Sequence, residues 1–73
     1  MTVLRENDTF SLPRSIEATV IGEREVVVLP QGTTVAVVLV FGDSRAPVAY
    51  EVEAFLQESG RYALATVDAS DLP

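Results

Sequence analysis

The chain has no cysteine, no histidine, no lysine and no tryptophan. Each absence removes a class of chemistry. Without cysteine there is no disulfide to staple a small fold and no thiol nucleophile. Without histidine, the usual general base near neutral pH and the commonest transition-metal ligand are both missing. Without lysine there is no amine for a Schiff base. Ser11, Ser15, Ser44, Ser59 and Ser70 have no base beside them in sequence. Gly22, Gly32, Gly42 and Gly60 each stand alone, so no glycine-rich loop is present to cradle a phosphate. No run reaches the roughly 18 apolar residues of a membrane-spanning helix. The first residues, MTVLRENDT, lack the basic and apolar regions of a signal peptide. The expectation is a cytoplasmic protein that is not an enzyme, holds no cofactor or metal and does not enter a membrane.

Positive charge is also scarce. Eleven acids stand against five arginines, for a formal charge of −6. A nucleic-acid backbone selects for a surplus of cations, because counterion release supplies most of the affinity. Here Arg5, Arg14, Arg24, Arg45 and Arg61 are scattered, so nucleic acid is not expected as a partner. An acidic surface keeps a small protein soluble and steers basic partners towards it.

What is abundant is apolar side chain, 48% of 73 residues. A chain of this length forms one domain, and a domain so small buries only about 60% of its unfolded surface. Two explanations of the surplus stand: a well-filled barrel, or an apolar face covered by another chain. β-Branched residues dominate the surplus, and they favour strand. Residues 9–12 alternate polar and apolar until Pro13 ends the ladder. Residues 14–29 read as a hairpin around Gly22-Glu23-Arg24, or as a longer extended excursion. Pro30-Gln31-Gly32 is a turn. Residues 33–41, TTVAVVLVF, form the longest apolar run and predict a strand buried on both faces, or a central strand with one face against a partner.

Residues 48–58 fit a helix by the spacing of Val48, Val52, Phe55 and Leu56. They fit a strand by the alternation of Tyr50-Glu51-Val52-Glu53, and the alternation is the preferred reading. Glu58-Ser59-Gly60 turns the chain into a strand over residues 61–67. Asp68 then caps a single helical or 3₁₀ turn, with Leu72 as an apolar peg. Residues 1–8 are expected to start loosely. The fold class is therefore all-β, a small barrel of about five strands closed by a short C-terminal 3₁₀ turn. Its expected core is Phe10, Leu12, Val26, Val28, Val35, Val37, Leu39, Tyr50, Val52, Leu64 and Val67.

Gly32-Thr33-Thr34-Val35, Tyr50-Glu51-Val52-Glu53, Gly60-Arg61 and Asp71-Leu72 together resemble a family of small bacterial SH3-like barrels of unknown function. The resemblance implies an SH3-like barrel. It also implies a non-catalytic protein, the antitoxin or immunity half of a bacterial pair.

Alternation places Glu51, Glu53 and Phe55 on one side of their strand. An exposed aromatic rimmed by acids is the make-up of a protein-binding face; the alternative is that Phe55 reaches the edge of the core. With Arg61 in the following strand, these residues are the candidate contacts for a basic partner. Such a partner would be occluded by carboxylates standing in for phosphate. A second hypothesis is a structural homo-oligomer, formed through residues 35–41 or the edge of that strand. Glu51 with Glu53 as a carboxylate pair, and Asp68 with Asp71 as calcium ligands, read better as a solvated strand face and a turn cap.

Overall fold

The computed structural model describes residues 3–72. Met1 and Thr2, the first of the residues expected to start loosely, and Pro73 lie outside the described residues. The described residues form six strands and one 3₁₀ turn, not about five strands. They are β1 (Thr9–Ser11), β2 (Ile16–Val20), β3 (Val26–Leu29), β4 (Thr34–Asp43), β5 (Ala46–Leu56) and β6 (Arg61–Asp68), followed by the 3₁₀ turn Ala69–Asp71. All strand pairs are antiparallel. They make one sheet in the order β1-β4-β5-β6-β2-β3, curled into a half-barrel around its inner face. The extra strand comes from residues 14–29, which resolve as the β2–β3 hairpin. Residues 46–56 are strand, because alternation outweighs the helical spacing. No helix among the described residues is long and apolar enough to cross a membrane.

The inner face holds the core. Leu12, Val35, Val37, Tyr50, Val52 and Val67 are buried there as expected. Four alanines join them: Ala18 on β2, Ala54 on β5, and Ala63 and Ala65 on β6. Small side chains on the concave side let neighbouring strands curl tightly, while Tyr50 is the largest fully buried side chain. Phe10 packs against the core without being fully buried, and Leu64 is only half-buried.

Three expected core residues lie outside. Val26 and Val28 are 61% and 64% exposed. In Val26-Val27-Val28-Leu29 the alternation is masked by three consecutive valines, and the strand turns Val27 and Leu29 inwards instead. Leu39 is 41% exposed because β4 carries a bulge. Val37 pairs with Val52, but Leu39 pairs with Glu51, so Val38 has no opposite residue. One extra residue reverses the face of every side chain after it, and Val40 takes the inward place. Residues 33–41 are therefore buried on one face only, which corrects the two-faced reading.

The β4–β5 hairpin also needs Gly42. Its φ is +91°, and a Cβ there would sit 3.2 Å from the Val48 backbone nitrogen. The segment before β1 is tied to the sheet: the Asn7 N–H donates to the Val37 carbonyl at 2.8 Å, and the Val37 N–H donates to the Asp8 carbonyl. Further upstream, the Leu4 N–H donates to the Tyr50 hydroxyl at 3.1 Å.

Candidate protein-docking face

β5 is flanked along most of its length, by β4 on one side and β6 on the other. Its inward residues are Tyr50, Val52 and Ala54. Alternation then sends Glu51, Glu53 and Phe55 to the outer face. The register gives their neighbours. Glu51 lies between Leu39 and Thr66, and Glu53 between Ala36 and Leu64. Phe55 faces Tyr62 across the β5–β6 hairpin.

Phe55 is 53% exposed and Tyr62 45%, so the expectation that Phe55 reaches the core edge does not hold. The two rings stand edge to face, with centroids 5.2 Å apart and planes at 60°. That arrangement places the positive edge of one ring against the negative face of the other. Leu39, Phe41 and Val48 add further exposed apolar surface on the β4–β5 side. Glu51 and Glu53 are half-buried among these neighbours. Among the described residues neither carboxylate has an ion-pair partner.

Arg61 does not join this set. It begins β6 on the alternation that runs inwards through Ala63 and Ala65, the opposite side from Tyr62. Its guanidinium reaches Glu23 at 3.4 Å at the β2–β3 turn. Three of the four expected contacts thus come together, and the fourth is an ion pair on another side of the sheet. Tyr62 takes its place. The signal for it was in the sequence: once 57–60 is read as the turn, Phe55 and Tyr62 fall opposite one another.

Asp68 precedes the 3₁₀ turn, but its side chain makes no capping hydrogen bond. Asp71 pairs with Arg14 at 2.5 Å. This contact raises the Arg14 pKa above the ordinary arginine value, first through the hydrogen bond from the guanidinium to Asp71 and then through Coulomb attraction. The Ser15 hydroxyl accepts from the Gln31 N–H at 3.2 Å. No group of three or more acidic side chains converges as a metal site among the described residues.

Comparison with protein-family models, with curated proteins and with solved structures finds no match.

Proposed function

We propose that this chain is a non-catalytic protein-binding module on an SH3-like barrel. Its partner is a basic protein that docks on the outer face of β5 and β6. The observation that carries the reading is the exposed Phe55–Tyr62 ring pair on the same face as the unpaired carboxylates of Glu51 and Glu53. Aromatic anchors supply affinity when desolvated, and flanking acids select a cationic surface. In the setting the resemblance implies, the partner is a basic bacterial toxin or nuclease. The carboxylates occupy the place of the phosphates it would otherwise bind. The SH3-like assignment is supported by the all-antiparallel pairing, the curl of the sheet and the 3₁₀ turn at the end of β6.

The test is a tagged pull-down from the native lysate, run with the wild-type chain and with E51R/E53R. A single basic protein captured by the wild type, lost with the double variant and released in about 1 M salt, where the Debye length is roughly 3 Å, supports the face. Capture unchanged by E51R/E53R removes it, provided the variant keeps its circular dichroism spectrum.

A homo-oligomer is the second reading, favoured by the exposure of Leu39, Phe41 and Val48. It requires a mass in light scattering that is a multiple of 7.9 kDa. β1 covers the edge of β4 over Thr34–Ala36 only, so the contact would use the outer face of that strand or its edge beyond Val37.

A further inference from the structure

Two unpaired strand edges line one groove of about 480 Å³. The first is the outer edge of β3, the last strand of the sheet. The second is the end of β5. The β4–β5 ladder begins at Ala36 opposite Glu53, so residues 54–56 are paired only with β6.

The β2–β3 register fixes which backbone groups of β3 are free. The Val20 N–H donates to the Glu25 carbonyl at 2.9 Å. Pairs then follow as Thr19–Val26, Ala18–Val27, Glu17–Val28 and Ile16–Leu29. Antiparallel neighbours alternate between hydrogen-bonded and non-hydrogen-bonded pairs. Counted from the 20/25 pair, Val27 and Leu29 turn their N–H and C=O groups towards β2. Val26 and Val28 turn theirs towards the open edge. β3 is short, four residues, and Pro30 follows it directly, but no proline, lysine or bulge within it blocks pairing along the edge.

The groove has an apolar floor and acidic walls. Val27, Leu29, Ala54 and Leu56 line it, with Glu25 and Glu58, and no arginine does. We propose that it takes one extended segment of a basic partner protein as an added strand, closing the half-barrel between β3 and the end of β5. Backbone hydrogen bonds to Val26 and Val28 would hold the segment, alternate apolar side chains would face the floor, and cationic side chains at its ends would meet Glu25 and Glu58. The size of the groove suits one strand about as long as β3, roughly 13 Å at 3.3 Å per residue. The inference rests on the basic partner proposed above; the groove adjoins the outer face of β5 and β6 and shares Phe55 with it, while Glu51 and Glu53 lie outside its lining.

The test titrates the ¹⁵N-labelled chain with two blocked peptides, Arg-Val-Thr-Val-Arg and Glu-Val-Thr-Val-Glu, each up to about 5 mM, in the range of weak affinity. The basic peptide is expected to shift the Val26 and Val28 amides with a Kd of about 1 mM, and the acidic peptide to bind at least about tenfold more weakly. V28P removes an N–H that β2 does not use, a position where an edge strand tolerates proline. It is expected to keep the fold and to weaken the basic peptide about tenfold, the loss of one backbone hydrogen bond. E25R/E58R keeps every backbone group and is expected to reverse the preference between the peptides, so the test stands even if V28P unfolds. E51R/E53R is expected to keep the Val26 and Val28 shifts and the preference for the basic peptide, which separates failure of the outer face from failure of the groove. Equal response to both peptides, no response at Val26 and Val28, or a preference untouched by E25R/E58R overturns the proposal. Concentration-dependent shifts of the same amides without peptide would assign the edge to a second copy and overturn it as well.

Discussion

Tyr50→Phe tests how the segment before β1 is held. Tyr50 has 0% exposure and lies on β5 between Val40 of β4 and Val67 of β6. Its hydroxyl accepts from the Leu4 N–H at 3.1 Å, 46 residues away in sequence. Y50F keeps the ring and removes only that acceptor. A neutral hydrogen bond of this kind contributes about 1 kcal/mol net. In a domain of this size, that loss lowers Tm by roughly 4–8 °C. Y50A also removes the ring and should cost about 3–5 kcal/mol, by the scale of other aromatic truncations. The whole domain is worth roughly 4–11 kcal/mol at ordinary stability per residue, so Y50A should be close to unfolded.

Thermal melts of Y50F, read with amide hydrogen exchange, separate the two effects. The Leu4 amide should lose protection, while the Asn7 amide, bonded to the Val37 carbonyl, should keep it. A Tm within about 1 °C of wild type and unchanged exchange at Leu4 would refute the argument that this bond docks the segment.

Gly42→Ala should lower stability by more than Gly32→Ala. Both glycines have positive φ, +91° and +88°, but only at Gly42 does an added Cβ meet backbone, 3.2 Å from the Val48 nitrogen. G32A should therefore cost about 1–2 kcal/mol from the left-handed conformation alone, and denaturant midpoints of the two variants check the order. Arg14→Ala should leave Tm almost unchanged, because the Arg14 side chain in its pair with Asp71 is 64% exposed, and about 1 M salt should remove any difference. The raised Arg14 pKa gives a contribution that is fully present below the ordinary arginine range and lost only above it. R14A and wild type should therefore show parallel stability curves between about pH 5 and 9, well below arginine titration; a midpoint there unique to the wild type would contradict that sign.

The alternation Tyr50-Glu51-Val52-Glu53 made both the class of β5 and its two faces legible, and with them Glu51, Glu53 and Phe55. The turn at 57–60 made Tyr62 findable. What was hidden was phase, wherever apolar residues run consecutively. In Val26-Val27-Val28-Leu29 every position is apolar, so only tertiary packing decides which pair turns inwards. In β4 the reversal at Val38 comes from a bulge that no residue type marks. The core alanines were hidden for another reason. Ala18, Ala54, Ala63 and Ala65 matter because they are small where the sheet curls, and that condition is visible only once the curl is known. Arg61 was misplaced by proximity in sequence to the Gly60 turn. Strand alternation separates it from Tyr62 despite their adjacency.

A single curled sheet buries one face, and among the described residues there is no α-helix to cover the other. That accounts for the apolar surplus better than a fully filled barrel does. Val26, Val28, Leu39, Phe41, Phe55 and Tyr62 are all exposed on strands whose opposite faces supply the core. Such a face, left wholly apolar, would promote self-association. Glu51 and Glu53 interrupt it near the middle, and Glu17 lies on the same outward alternation of β2. A partner that covers this surface must therefore desolvate carboxylates together with aromatic rings. Cations or hydrogen-bond donors on a partner would offset that cost, so under the proposed function it is the placement of the acids within the apolar face, more than the net charge of the chain, that would favour a basic protein.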